Sequence, residues 1–296
     1  MQPDAEPTVY ISPVLGAARL VAYALWTIAL IPVQAAAIAL KLPLAWRLPR
    51  FYHRVCCRLL GIRLLVHGRR SRKRPTLFVG NHASYLDIMI YGALIEGSFV
   101  AKQEVASWPF FGLLAKLQRS IFIDRRIRTS LSQSGAIRQR LEARHNLVLF
   151  PEGTSSDGNR VLGFKSALFA AADAEVKGRH ITVQPISIAY TELDGLPVGR
   201  HLRPFFAWYG NMELASHLWQ LVGLGRPTVD VTFHEPVTMD DFGSRKELAA
   251  YCHRAVSKGH GESLAGRWRS AAGKAGMRAW LRQRRRRKEA AAGRAA

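Results

Sequence analysis

The chain has 296 residues, of which 48% are hydrophobic, so it is long enough to bury a sizeable core in one large domain. Its formal net charge is +22, from 43 Lys and Arg against 21 Asp and Glu, which predicts attraction to phospholipid headgroups, nucleic acid or acidic proteins. Cys56, Cys57 and Cys252 lack the number and spacing of a disulfide framework or a zinc site. They indicate buried, reduced thiols and a globular part in a reducing compartment.

The first predicted element is an uncharged apolar stretch at 20–40, flanked by Arg19 and Lys41. A helix of about 20 apolar residues is long enough to cross a bilayer. Pro32 and Gln34 lie in its second half, so a kinked spanning helix, a re-entrant hairpin and a buried core helix are all compatible with it. We expect residues 1–50 to be a membrane-anchoring segment, formed by a helix or a hairpin.

Charge on either side of this stretch predicts its orientation. Arg19 precedes it, whereas five basic residues follow it, and basic residues favour the cytoplasmic side of a membrane. The five are Lys41, Arg47, Arg50, Arg54 and Arg58. The pattern therefore predicts the inner (cytoplasmic) membrane, with the domain that follows the stretch facing the cytoplasm.

Short apolar runs alternate with helical stretches between residues 51 and 240, which we expect to form one globular domain. The alternation predicts an α/β fold with a largely parallel or mixed central sheet flanked by helices. The predicted strands lie at 77–79, 99–101, 121–123, 147–150, 181–189 and 229–233. The predicted helices lie at 85–94, 110–117, 130–144 and 164–177.

The last segment, 241–296, is strongly basic. From residue 245 onward it has 15 Lys and Arg against three Glu, and it contains a run of five basic residues at 284–288. Such a run is usually solvated, and beside a membrane it can also bind anionic lipid. We expect a basic tail that is helical or disordered.

A histidine and an aspartate occur together in the segment NHASYLD at 81–87, between a predicted strand and a predicted helix. On one regular helix His82 and Asp87 would lie about 140° apart. They can therefore meet only if His82 precedes the helix and Asp87 lies in its first turns, with Ser84 as the predicted N-cap. A histidine backed by a carboxylate can activate a substrate hydroxyl, and a structural histidine is the alternative.

The second polar segment is FPEGTSS at 150–156, which also follows a predicted strand. A glycine with small hydroxyl residues at a strand end can form a backbone nest for an anion or an oxyanion. An ordinary turn with Ser and Thr caps is the alternative.

Together these segments resemble the glycerolipid acyltransferase family, which includes the 1-acylglycerol-3-phosphate acyltransferases. Four motifs occur in the family's order across about 110 residues, from 81 to 186. The first motif, N-H-x-S-x-x-D, matches Asn81, His82, Ser84 and Asp87. The second, an apolar strand ending in arginine, matches 122–125, and the third, F-P-E-G-T, matches 150–154. The fourth, a strand that contains a proline, matches 183–186.

The resemblance implies a role for each matched residue. His82 would be the general base on the acceptor hydroxyl, Asp87 would orient it, and Arg125 would hold the acceptor's anionic headgroup. The other expected substrate-binding residues are Asn81, Ser84, Glu152, Gly153, Thr154 and Lys165. The family chemistry implies membrane lipids as partners, a thioester of acyl carrier protein or coenzyme A as donor, no metal, no bound cofactor and no nucleic acid.

The sequence indicates the identity of the acceptor less clearly than it indicates the catalytic residues. Family members often have arginine after the F-P-E-G-T threonine, where this chain has Ser155, although Arg160 or Lys165 could replace that cation. The segment SSDGNR at 155–160 resembles a bacterial subgroup that includes lyso-ornithine lipid acyltransferases, whose acceptor carries an α-carboxylate and an amine. We expect 1-acyl-sn-glycerol 3-phosphate as the acceptor, with lyso-ornithine lipid as the alternative. A non-catalytic membrane or nucleic-acid-binding protein is a third hypothesis, which the intact His82–Asp87 pair disfavours.

Overall fold

The computed structural model describes residues 10–123 and 131–268, with the backbone alone for 131–134. Two antiparallel helices come first, α1 (Pro13–Ala39) and α2 (Leu44–Leu59). Ser12 caps α1 through a bond from Leu15 N, and a proline occupies its first turn, where no donor is lost. The helix continues through Pro32, so the apolar stretch is one helix, and α2 pairs with it to complete a hairpin.

Eight strands form one mixed sheet in the part of the chain that the structure describes. They are β1 (Arg63–Gly68), β2 (Thr76–Gly80), β3 (Ser98–Lys102), β4 (Ile121–Ile123), β5 (Leu147–Leu149), β6 (Thr182–Leu193), β7 (Leu196–Pro197) and β8 (Pro227–Phe233). Their order is β1-β8-β6-β2-β5-β3-β4, with β7 paired to β6. The β6–β8 and β6–β7 pairs are antiparallel and the others are parallel.

Helices cover both faces of this sheet. The remaining helices are α3 (Leu86–Leu94), α4 (Phe111–Leu117), α5 (Leu131–Glu142), α6 (Leu214–Gly223) and α7 (Arg245–Leu264). Along β2, Phe78 points into the core beside α3, whereas Leu77 and Val79 point into the core beside α7. A central strand buried on both faces is typical of this architecture, and the predicted mixed α/β fold is confirmed.

Two local predictions differ from the structure. The predicted helix at 164–177 is a 3₁₀ stretch over Ser166–Asp173. Lys165 N donates to Pro151 O before it, and Glu175 bridges to His180 after it, so tertiary contacts at both ends override the helix propensity of its alanines. Strand β1 was not predicted, because it is an edge strand with a mixed polar and apolar sequence.

Helix α1 is held to the globular part near both of its ends. Close to its start, the buried Arg19 donates to the carbonyl oxygens of Val222, Leu224 and Gly225. Close to its end, Gln34 Nε2 donates to Leu117 O at 2.8 Å. By length and composition α1 could cross a membrane, and its outer face exposes apolar side chains including Val21, Leu25 and Ile28.

The expected segment boundaries do not coincide with breaks in packing. Residue 50 falls inside α2, and α7 lies within the segment expected to be a tail. Leu248 and Cys252 of α7 are buried against the sheet, so this helix belongs to the core and only the later residues can form a tail. Residues 269–296, including the basic run at 284–288, lie outside the described residues.

The three cysteines are free and buried, as predicted. Burial raises the pKa of Cys252 to about 12, and that of Cys57 likewise, so both side chains are neutral thiols near pH 7.

Candidate active site

The loop between β2 and α3 brings His82 and Asp87 together. His82 lies two residues after the last residue of β2, and Asp87 is the second residue of α3. His82 Nδ1 and Asp87 Oδ2 are 2.9 Å apart. The predicted geometry, a histidine in the turn before the helix and a carboxylate in its first turn, is the one observed.

Asp87 is fully buried and receives four hydrogen-bond contacts. Besides His82, its Oδ2 accepts from the backbone N–H groups of Ala83 at 2.6 Å and Ser84 at 2.9 Å. Its Oδ1 accepts from the hydroxyl of Tyr190 at 2.7 Å. Because every donor points at the carboxylate, the charged form of Asp87 is satisfied without water.

Asp87, and not Ser84, provides the main polar side-chain contacts at the start of α3. Ser84 Oγ is 3.4 Å from Leu86 N, which is a weak contact, and no side chain caps the helix from its N-cap position. The prediction of Ser84 as N-cap was therefore wrong. The carboxylate of Asp87 in the first turn of α3 also interacts favourably with the helix dipole.

Contacts to its ring and to its backbone fix His82 in place. Its ring stacks on Phe150 at 4.1 Å between centroids, its backbone N donates to Glu152 Oε1 at 2.9 Å, and its carbonyl accepts from Ser156 N at 2.9 Å. A carboxylate at Nδ1 keeps the proton on that nitrogen, which leaves the lone pair of Nε2 available. His82 lines a cavity between the helical hairpin and the sheet, so a substrate in that cavity can reach Nε2.

Glu152 braces the two polar loops against each other. Its Oε1 accepts from His82 N, and its Oε2 accepts from Leu162 N at 3.1 Å. Burial raises the pKa of Glu152 to about 8, although the two backbone N–H groups oppose that shift. Since both oxygens bind the backbone, the expected substrate contact by this carboxylate is not supported by its geometry.

Asn81 and Ser84 also serve the fold. The Asn81 amide exchanges two hydrogen bonds of 2.9 Å with the backbone of Ile188 in β6, which fixes the end of β2. Both side chains are buried and neither residue lines the cavity, so the structure shows a structural role for them, and substrate binding by them stays a prediction.

The other expected binding residues fall into three groups. Gly153 and Thr154 line the cavity beside His82, and Gly153 has a φ of +78°, which glycine adopts without strain. Lys165 is exposed and does not line the cavity. Arg125 lies outside the described residues.

A cavity of about 420 Å³ extends from His82 between the helical hairpin and the sheet. Its wall is mostly apolar and aromatic, with Leu30, Leu48, Met89, Phe111, Leu114 and Trp208 among the lining residues. Such a wall suits an acyl chain. Among the described lining residues, the cavity has one Lys or Arg, Lys102, and one carboxylate, Glu104.

Sequence reasoning missed Tyr190 and Trp208. Tyr190 lies four residues beyond the last quoted motif position, and the signal for it is a tyrosine in a buried strand, where its hydroxyl needs a partner. Trp208 N donates to Ala83 O at 2.8 Å, and Trp208 O accepts from Ser155 Oγ at 2.6 Å, so it joins both polar loops. Trp208 lies beyond the matched motifs, and no comparable pattern in the sequence indicates its role.

Comparison with known proteins agrees with this geometry. The Acyltransferase family model matches residues 63–189. The lyso-ornithine lipid O-acyltransferase of Rhizobium meliloti (strain 1021) is 44% identical over 251 residues, which cover 83% of this chain and 86% of that protein. The 1-acyl-sn-glycerol-3-phosphate acyltransferase of Neisseria gonorrhoeae is 34% identical over 170 residues, which cover 56% of this chain and 62% of that protein.

A solved structure shows the same fold. The crystal structure of the 1-acyl-sn-glycerophosphate (LPA) acyltransferase PlsC from Thermotoga maritima superposes with a TM-score of 0.54 at 24% identity. The match covers 73% of this chain and 78% of that chain.

The chain therefore belongs to the glycerolipid acyltransferase family. It is an enzyme, an O-acyltransferase that acts on lysolipids, and the exposed apolar face of α1 indicates association with a membrane. The expected acceptor, lysophosphatidate, is supported less well than its alternative, because the relatives with higher identity and coverage are lyso-ornithine lipid O-acyltransferases.

Proposed function

We propose that this enzyme transfers an acyl chain from a thioester to the hydroxyl of a lyso-ornithine lipid, with His82 as the general base. The observation that carries the chemistry is the 2.9 Å contact between His82 Nδ1 and Asp87 Oδ2 at the wall of an apolar cavity. The 44% identity to a lyso-ornithine lipid O-acyltransferase over most of both chains supports the acceptor.

The proposed reaction needs no covalent intermediate with the enzyme. His82 Nε2 takes the proton of the acceptor hydroxyl as its oxygen attacks the thioester carbonyl carbon. Asp87 stabilises the imidazolium that forms. The tetrahedral intermediate then collapses, the carbon–sulfur bond breaks, and the leaving thiolate takes the proton from His82. The products are an ester and a free thiol. Support of the intermediate by Gly153 and Thr154, which line the cavity, remains a prediction.

One position near the site favours a zwitterionic acceptor. Lysophosphatidate has nearly two negative charges, and a site for it should hold more than one cation. The family often supplies one of these cations directly after the F-P-E-G-T threonine, where this chain has Ser155. The hydroxyl of Ser155, where the family often has arginine, is bound to Trp208 O.

The test is a comparison of acceptors. The full-length enzyme in detergent is given one acyl donor and either lyso-ornithine lipid or lysophosphatidate, with His82→Ala as the blank. We expect at least tenfold higher kcat/KM with lyso-ornithine lipid, which corresponds to about 1.4 kcal/mol of discrimination. A higher value with lysophosphatidate, the acceptor named for the Neisseria relative, would replace our assignment with that second candidate.

The donor and the location complete the proposal. The donor is a thioester of acyl carrier protein or coenzyme A, both of which are acidic and suit a chain with a net charge of +22. The helical hairpin anchors the enzyme in the inner membrane, and the basic residues that follow α1 favour the cytoplasmic face. Comparing turnover of the two thioesters tests the donor, and protease accessibility in inverted vesicles tests the orientation.

A further inference from the structure

Two arginines and a tryptophan form a groove beside the turn between α1 and α2, away from His82. The Arg119 guanidinium lies 3.7 Å from the centroid of the Trp46 ring, and that of Arg140 lies 5.3 Å from it. The groove has a volume of about 520 Å³, and its lining includes Trp46, Arg119, Ser120, Gln139, Arg140 and His145.

The two cations are fixed close together. Arg140 Nη1 donates to Ser98 Oγ at 2.8 Å and to Arg119 O at 2.9 Å, which sets the plane of its guanidinium. Burial lowers the pKa of Arg140, and the nearby Arg119 lowers it further. Neither arginine has a carboxylate partner among the described residues. Glu96, the acidic group nearby, is bonded to Arg74 at 3.0 Å.

An anion bound in the groove would offset the electrostatic repulsion between the guanidinium groups of Arg119 and Arg140. The groove offers two guanidinium groups, the hydroxyl of Ser120 and the amide of Gln139, which is a donor set suited to phosphate oxygens. His145 stacks on Trp46 at 3.5 Å, and burial lowers its pKa to about 4, so it is neutral near pH 7 and the arginines provide the charge.

The neighbouring turn indicates which phosphate would bind. Trp46 lies in the first turn of α2 with Leu44, directly after the connection that contains Leu40 and Leu42. These leucines are 68%, 43% and 42% exposed. A free phosphate has no use for apolar surface beside its site, whereas a phospholipid has acyl chains next to its headgroup.

We propose that the groove of Trp46, Arg119 and Arg140 binds the headgroup phosphate of an anionic phospholipid and so orients the enzyme on the membrane surface. This site is separate from the acyl-transfer site, and its occupancy does not depend on which acceptor the enzyme uses.

The test is calorimetric titration of short-chain phosphatidylglycerol into the full-length protein in an uncharged detergent. Gln139→Glu introduces an anion at an exposed position of the groove wall without disturbing the core, and Arg119→Gln removes one of the two cations. Arg138→Gln is the matched control, because it changes the charge by the same amount one residue away, outside the groove lining. Its guanidinium pairs with Glu142 on the surface of the same helix.

We expect the Kd for phosphatidylglycerol to rise about fivefold in Gln139→Glu and in Arg119→Gln, and less than about twofold in Arg138→Gln. Phosphatidylcholine should bind more weakly to the unmodified protein, and inorganic phosphate at equal concentration should not displace the lipid. An equal rise in all three variants would mean that net charge alone matters and would overturn the proposal. Full displacement by inorganic phosphate would also overturn it, because the groove would then be a site for free anions.

Discussion

The hydroxyl of Tyr190 donates a hydrogen bond of 2.7 Å to Asp87 Oδ1, the oxygen that His82 does not contact. Tyr190 is buried, and its ring stacks on Phe206 at 5.4 Å with an angle of 6° between planes. The strand β6 thus holds the carboxylate from the side opposite the histidine. We infer that Tyr190 is a positioning residue, because it reaches the base only through Asp87.

Tyr190→Phe removes this one bond and keeps the ring. The carboxylate then loses one of the bonds that fix its position and can move relative to His82. We expect kcat to fall by about tenfold or more with KM unchanged, since a hydrogen bond to a charged group is worth about 1.5–3 kcal/mol and about 1.4 kcal/mol corresponds to tenfold in rate. Tyr91→Phe is the control, because Tyr91 is also buried and its hydroxyl contacts Asn81 O at 3.5 Å. An equal fall in kcat in both variants would assign the effect to packing.

His82→Ala and Asp87→Asn should differ in stability while both lose activity. His82→Ala removes the base, and we expect the rate to fall by about 10²–10⁴-fold with little change in Tm. Asp87→Asn also replaces one of the two acceptor oxygens with a donor amide, so it loses either the contacts from Ala83 N and Ser84 N or the one from Tyr190, and it should lower the free energy of unfolding by about 1–3 kcal/mol as well. Acyl-transfer assays and thermal unfolding of both variants check this. Activity of His82→Ala within threefold of the unmodified enzyme would contradict the mechanism.

The sequence contained the catalytic pair but not the contacts that surround it. His82 and Asp87 could be predicted because their spacing and the strand before them restrict how they meet. Asn81 and Glu152 were predicted as substrate contacts, yet both bind backbone groups about 70 to 107 residues away in sequence. Local patterns do not contain such long-range partners.

The shape of the cavity also could not be predicted from the sequence. The apolar stretch at 20–40 predicts a long helix, but the wall that Leu30 forms with Leu48 and Phe111 depends on how three helices pack. The same limit applies to α7, whose basic residues suggested a solvated tail, whereas Leu248 and Cys252 pack it into the core. Charge composition describes the outer face of such a helix and not the inner one.

The raised pKa of Glu152, about 8, predicts how stability depends on pH. A carboxyl whose pKa is higher in the folded than in the unfolded chain stabilises the fold at low pH, and this contribution is lost as pH rises from about 4.5 to about 8. Glu152→Gln puts an amide that cannot ionise at this position, although the variant lacks the bond from Leu162 N at every pH. We therefore expect the Tm of the variant, relative to the unmodified enzyme, to improve between pH 5 and pH 8.5. A constant difference across that range would show that Glu152 is ionised throughout.

Arg19→Ala should weaken the attachment of α1 to the globular part. The substitution leaves the carbonyl oxygens of Val222, Leu224 and Gly225 without their donor, and we expect the free energy of unfolding to fall by about 1–3 kcal/mol. Thermal unfolding in detergent measures this. Arg58→Ala is the control, because Arg58 is an exposed arginine of α2. Membrane sedimentation should be unchanged in both variants, since the apolar outer face of α1 is intact. Equal stability of the two variants would show that the three bonds of Arg19 do not hold the helix in place.

Ser155→Arg should move the acceptor preference toward lysophosphatidate. Ser155 lines the cavity close to His82, and its hydroxyl donates to Trp208 O, so the position faces the acceptor without providing charge. An arginine there would add a cation to the cavity wall, which suits a phosphate with nearly two negative charges and opposes the amine of a lyso-ornithine lipid. We expect the ratio of kcat/KM for lysophosphatidate to that for lyso-ornithine lipid to rise by about tenfold, equivalent to about 1.4 kcal/mol.

Ser155→Ala separates the two effects of that substitution. It removes the hydrogen bond to Trp208 O without adding charge, so it should lower turnover of both acceptors by a similar factor and leave their ratio within about twofold. The measurement is kcat/KM for both acceptors with one acyl donor, in the unmodified enzyme and both variants. If Ser155→Ala moves the ratio as far as Ser155→Arg does, acceptor choice depends on the position of Trp208 and not on charge. If neither variant moves it, the headgroup lies away from Ser155, and Lys102 and Glu104 become the positions to vary.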